Sequence, residues 1–181
     1  QQMIQALGHG LPDHWYQVAA LLNGASPLSW LNGVLQGGTL QNLLQRTQRR
    51  YEGPGRILFL PYLSGERTPH NDPAARAAFH GLHAGTTQED LALAVLEGVA
   101  LSLADCQDVL EQGGTQVAEL LVAGGGTRSA FWMQMLANVL NRRITIPKGS
   151  DVGAAYGAAR LARLAVTAES IAAVCSKPKA L

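Results

Sequence analysis

The chain has 181 residues with 14 basic and 13 acidic side chains, a net charge of +1, and 47% apolar residues. That is enough apolar material for one sizeable core, and the near-zero charge balance argues against nucleic acid or an anionic membrane surface as a partner. Two cysteines, Cys106 and Cys175, fit neither a disulfide framework nor a zinc site, so the expected setting is reducing and cytoplasmic.

Trp15–Leu22 (WYQVAALL) reads as a buried strand running into a helix. Ser26-Pro27 suits a helix start, with a hydroxyl at the N-cap and a proline where an absent N–H costs nothing. Leu28, Leu31 and Leu35 then keep helical spacing. Thr39 is placed to cap a second helix through Arg50, on which Arg46, Arg49 and Arg50 read as a solvated face. Gly53-Pro54-Gly55 ends it.

Ile57–Pro61 (ILFLP) reads as a short buried strand feeding a loop dense in turn formers, YLSGERTPHNDPAARAAF. Loops of that length inside compact domains tend to carry function. Asp72, before Pro73, fits a turn role better than a catalytic one. His80 and His83 would share a helical face, but Gly81 between them argues against a helix, and no acidic third ligand stands nearby, so no metal is expected. Thr86 to Gln112 gives the longest helix, with Thr86 and Glu89 as a capping box and one apolar stripe of Leu91, Val95, Val99, Leu103, Cys106 and Leu110.

The next stretch, ELLVAGGGTRSAFWMQML, raises the question of function. A buried strand stops at Gly124, Gly125 and Gly126, and a helix with Phe131, Trp132, Met135, Leu136, Val139 and Leu140 on one face follows. Strand–glycine turn–helix is a recurring nucleotide site, because bare backbone admits a ligand closely and the helix N-terminus favours negative charge. The dinucleotide fingerprint fails, since its third glycine would fall at Ser129, and no Gly-Lys-Ser/Thr phosphate loop is present. A tight turn without a ligand is the plainer alternative. ITIP reads as another strand, and Asp151 as the cap of a final helix whose Gly153, Ala154, Gly157 and Ala158 would let it lie close to a neighbour. The alternation of strands and helices indicates an α/β layered fold.

Several segments together resemble one family. FLPYLSGERTPHNDP, AAFHGLHAGTTQEDLALAVLEG, LLVAGGGTRSAFWMQMLANVL and DVGAAYGAARLA, in that order, are similar to the C-terminal lobe of the FGGY carbohydrate kinases. The family's second signature is met by Ala77, Phe79, Gly81, Leu82, Asp90, Leu91, Ala94, Leu96 and Glu97. The loop SGERTPHNDP resembles that of the family's xylulokinase branch rather than its glycerol kinases.

The resemblance implies a ribonuclease H-like, actin-type ATPase lobe filling residues 1–181, the nucleotide-binding half of a two-lobed sugar kinase, cut at both ends. It implies ATP with magnesium as the phosphoryl donor. It implies that Gly124, Gly125 and Gly126 form the adenosine turn, with Ser129 near the base and Gly24 as a second nucleotide-side glycine. Glu66, Arg67 and Thr68 become candidates for contacts in the cleft. The implied reaction is phosphorylation of D-xylulose to D-xylulose 5-phosphate. No residue of this chain is assigned as the catalytic base, which the family carries on an aspartate in an upstream Gly-Asp-Asn segment. The sugar would be met through the other lobe, and a second copy of the chain is a candidate partner. The competing readings are a non-catalytic actin-like nucleotide-binding or assembly module, which a different upstream domain would select, and a dinucleotide-dependent oxidoreductase, disfavoured at Ser129.

Overall fold

A computed structural model describes residues 4–150, 152–176 and 179–180. Strands β1 (Gln5–Gly8) and β2 (Trp15–Val18) form an antiparallel hairpin, followed by helices α1 (Ser26–Leu35) and α2 (Leu40–Arg49). Strand β3 (Leu58–Leu60) pairs antiparallel with β4 (Ala78–His80) across the long loop. Helix α3 (Gln88–Gln112) comes next, and strand β5 (Glu119–Leu121) then leads into a short 3-10 turn at Gly125–Arg128. Helix α4 (Ala130–Leu140) crosses to β6 (Arg143–Thr145), which lies parallel to β5 with Leu120 opposite Ile144. Helices α5 (Ala154–Val166) and α6 (Ile171–Val174) complete the described chain.

The core is organised around α3. Its expected stripe is present, with Val95, Val99 and Cys106 buried, but Ala92, Ala94, Leu96, Ala100 and Val109 are buried too. The first half of the helix is therefore enclosed on more than one side. Leu28 and Leu31 of α1, Leu43 of α2, Ile57 and Phe59 around β3, and Trp132, Met133, Met135 and Leu136 of α4 all join the same cluster. The approach of α3 to β3 is close enough to require a residue without a side chain: a Cβ on Gly98 would stand 2.3 Å from the Phe59 carbonyl oxygen.

The start of α3 differs from expectation by one residue. The Thr86 hydroxyl is occupied by the His83 N–H at 3.0 Å. Thr87 and Asp90 instead form the capping box, with Thr87 N–H donating to Asp90 Oδ2 at 2.9 Å and Asp90 N–H to Thr87 Oγ1 at 3.3 Å. Glu89 turns outward to α2 and takes Arg46 at 2.7 Å and Arg50 at 3.4 Å. Two of the three arginines read as a solvated face thus tie α2 to α3, and Arg49 stays in solvent without such a partner among the described residues.

Three other expectations are corrected. Trp15–Leu22 is not a buried strand running directly into a helix: β2 ends at Val18, α1 begins only at Ser26, and Trp15 is 76% exposed, β1 being the one strand beside it among the described residues. The N-cap of α1 is Ala25, already in helical conformation, so Ser26 falls inside the helix and makes no capping bond. Helix α5 has no buried residue, and nothing among the described residues lies within 4 Å of a Cβ on Gly153 or Gly157. Its small-residue face therefore has no close neighbour among the described residues. The expected cap, Asp151, lies outside the described residues. Thr39 caps α2 as expected, accepting from Asn42 N–H at 3.2 Å. No helix among the described residues is long and apolar enough to cross a membrane.

Candidate functional site

Strand β5 delivers the chain to Gly124, which adopts φ 103° and ψ 178°. This region of backbone space is essentially restricted to glycine. The turn is then closed by Thr127, whose N–H donates to the Gly124 carbonyl at 3.1 Å and whose hydroxyl donates to the same oxygen at 2.8 Å. Ser129 caps α4, its Oγ accepting from Trp132 N–H at 3.2 Å.

The three glycines answer to three different requirements. Gly124 supplies a conformation. Gly126 supplies room for a neighbour, since a Cβ there would come within 2.5 Å of Trp132 Cζ3. Gly125 is the one with neither constraint: its φ is ordinary and no heavy atom of the described residues lies within 4 Å of a Cβ built on it. The space it faces is a cavity of about 500 Å³ lined by Gly125, Gly126, Arg128, Ser129 and Trp132 on one side. Ala25 and Ser29 of the α1 end and Leu40, Gln41 and Leu44 of α2 line the other. Its size lies within the range of small-molecule sites.

Gly24 does not line this cavity. It precedes Ala25, which does, and no atom lies within 4 Å of a Cβ built on it. The loop candidates lie elsewhere. Glu66 and Thr68 are each only 2% exposed, whereas Arg67 between them is exposed. Glu66 Oε1 accepts from Leu22 N–H at 2.9 Å and Arg67 N–H at 2.8 Å. Thr68 N–H donates to the Ala20 carbonyl and its Oγ1 accepts from Ala20 N–H, both at 3.0 Å. Asn23, 2% exposed, donates from Nδ2 to the Gly65 carbonyl at 2.9 Å. These bonds fasten the loop to Ala20–Asn23, the segment that runs directly into Gly24 and Ala25 at the cavity edge.

Behind the loop, Cys106 points its thiol at the Thr68 carbonyl, 3.5 Å away. Burial, with the nearby Glu66 and Asp105 carboxylates adding to it, pushes that thiol up to about 11. It is therefore a protonated packing group, not a nucleophile. Asp72 folds back on its own turn, accepting from Ala74 N–H at 2.7 Å and Ala75 N–H at 3.1 Å. His83 caps a turn through Nδ1, which accepts from Gly85 N–H at 3.1 Å. Among the described residues, no three His, Cys, Asp or Glu side chains come together in a way that could hold a metal ion.

The signature positions also have visible work. Asp90 closes the capping box, and the bonds from Thr87 hold its carboxyl below the usual range. Ala94 and Leu96 are buried in the core, and Phe79 packs on Phe59 with ring centres 4.5 Å apart. Glu97 reaches back to accept from Gly55 N–H at 3.0 Å, and burial raises its carboxyl above the usual range. Sequence reasoning missed the far wall of the cavity, Ser29, Leu40, Gln41 and Leu44. The one signal for it was the position of Gly24 and Ala25 at the head of α1.

Residues 4–166 match the model of the FGGY family of carbohydrate kinases, C-terminal domain. The chain belongs to that family. It is 40% identical over 169 residues to a xylulose kinase of Escherichia coli (strain K12), covering 93% of this chain and 35% of that protein. Among solved structures, one of a xyloylose kinase from Brucella ovis superposes with a TM-score of 0.89 at 40% identity, covering 98% of this chain and 37% of that one. The structure of a Plasmodium falciparum glycerol kinase with ADP superposes with a TM-score of 0.78 over 99% of this chain and 37% of that one; at 23% identity it attests the fold alone. The chain thus has the α/β, actin-like fold of the FGGY kinases, and it spans about a third of the length of the relatives it matches.

Proposed function

We propose that the full-length protein carrying this chain is an ATP-dependent sugar kinase that converts D-xylulose to D-xylulose 5-phosphate, and that this chain supplies the adenosine side of its cleft. The observation that carries the reading is the cavity beside Gly125, where backbone is left open with nothing of the described chain filling the space. A flat base and its ribose can lie there against main chain, with the apolar flank of Leu40 and Leu44 opposite. Membership in a carbohydrate kinase family supports the reaction class, and relatives named as xylulose kinases favour the sugar.

The residues present fit an adenosine group. Among the described residues there is no cluster for magnesium, so none of this chain's side chains is assigned to it. Phosphoryl transfer depends chiefly on alignment and charge stabilisation. The contribution of this chain is alignment. Gly124 and Gly126 set the turn, Gly125 leaves room, and Ser129, whose Oγ lone pair is engaged at the helix cap, retains an O–H to donate. The bonds from Glu66, Thr68 and Asn23 hold the Ala20–Asn23 segment and so the approach to Ala25. Arg67, exposed between two anchored neighbours, is the member of that loop free to meet a substrate.

The test is ADP release by the full-length protein given ATP and a panel of ketoses and polyols. Turnover with D-xylulose well above that with glycerol is expected, and the isolated chain should show none. Turnover by the isolated chain, or a full-length protein that prefers glycerol, would overturn the assignment.

A further inference from the structure

The cavity beside Gly125 carries four polar side chains, and they differ in what they can distinguish. Ser129 Oγ already accepts from Trp132 N–H at 3.2 Å. Ser29, Gln41 and Arg128 line the cavity and engage no hydrogen bond or ion pair among the described residues. Gln41 stands at the second position of α2, beside Leu40 and one turn before Leu44, and all three line the same space. Leu43 on the same helix is fully buried in the core, which fixes the rotation of α2 and hence the direction of this triplet. Gln41 is therefore held on a rigid, anchored helix with its amide uncommitted.

From this placement we infer that Gln41 reads the base of the bound nucleotide and selects adenine over guanine. The inference rests on the cavity being the nucleotide site. A carboxamide presents one acceptor and one donor side by side in a plane. Adenine presents the matching pair, an amino donor next to a ring-nitrogen acceptor, and the two pair through two hydrogen bonds. That pair lies on the edge carrying N6 and N7; the corresponding O6 and N7 edge of guanine offers two acceptors, so with the base docked by that edge the glutamine oxygen would face another oxygen. The other free groups do not make this choice. A serine hydroxyl rotates to suit either base, and Arg128, with donors only, suits the guanine edge.

The experiment is calorimetric titration of the full-length protein with ADP and with GDP, for the wild type, Gln41→Ala and Gly125→Val. Gln41 is exposed, so Gln41→Ala should leave the thermal midpoint unchanged. The expected result is a loss of about tenfold or more in the ratio of ADP to GDP affinity for Gln41→Ala. If that ratio stays within about twofold of wild type while Gly125→Val weakens both nucleotides, the role of Gln41 is overturned and the cavity assignment stands. If Gly125→Val also binds ADP as wild type does, the cavity assignment falls and takes this inference with it.

Discussion

Replacing each of the three glycines in turn separates fold from function at the turn. At Gly124 any side chain must adopt φ 103° and ψ 178°, which costs about 1–3 kcal/mol for a residue other than glycine. At Gly126 a Cβ would stand 2.5 Å from Trp132 Cζ3. The indole is held in the core at 9% exposure, so it yields only by disturbing α4, at about 1–3 kcal/mol. At Gly125 the added methyl meets nothing within 4 Å in an ordinary conformation, and stability should change by no more than about 1 kcal/mol, in the favourable direction. Nucleotide affinity should follow a different order: Gly125→Val, folded as well as wild type, should bind ADP at least about tenfold more weakly because its methyls occupy the ligand's space. Urea unfolding and ADP titration on the same full-length variants measure both quantities. The reasoning is refuted if Gly125→Val unfolds as readily as Gly124→Ala, or if it binds ADP like the wild type.

Two further predictions concern the scaffold around the site. Glu66→Ala removes the acceptor of two part-buried N–H groups, those of Leu22 and Arg67, and should cost about 1–3 kcal/mol in urea unfolding, whereas Glu66→Gln keeps an acceptor in place and should lose less than half as much; equal losses would show that the two bonds contribute little. Glu89 has its carboxyl lowered chiefly by the hydrogen bond from Arg46, so its contribution to stability is present above its unfolded value of 4.5 and is lost as pH falls through the lower folded value. The gap in thermal midpoint between wild type and Glu89→Gln should therefore be largest near neutral pH and close below about pH 4.5, and a gap that widens in acid would contradict the sign.

How much of this could be read from the letters varies with how local the cause is. Thr39 caps α2 because a side-chain oxygen and an N–H three residues on are enough for the bond, and both are visible in sequence. The start of α3 offered two adjacent threonines and two adjacent acids. What decided between them was His83, whose N–H claims Thr86, and Arg46 and Arg50, which claim Glu89 from another helix. Local pattern could not hold that information, because it belongs to the packing of α2 on α3. The same limit explains β2. WYQVAALL has the composition of a buried strand, but burial needs a covering partner, and Trp15 has none among the described residues. The loop candidates show the opposite case: their importance was legible, their mode of action was not. Glu66 and Thr68 looked like groups aimed at a substrate, and they are tension members holding the segment that leads to Ala25.

The run of glycines is the sharpest instance, because one letter repeated three times stands for three unlike demands. A sequence states that no side chain is present. It does not state whether the reason is a backbone angle, a neighbouring ring or an empty space, and only the last of these concerns a ligand. At Gly124 the angle suffices, and at Gly126 the Trp132 ring suffices. Had Gly125 shared either reason, the turn would be accounted for by folding alone and would carry no argument for a nucleotide. It shares neither, and the space before it is walled by a helix that lines it with one amide, that of Gln41, uncommitted among the described residues. A glycine that folding does not require, set against a cavity that the described residues do not fill, is the feature that argues for a nucleotide site at this turn.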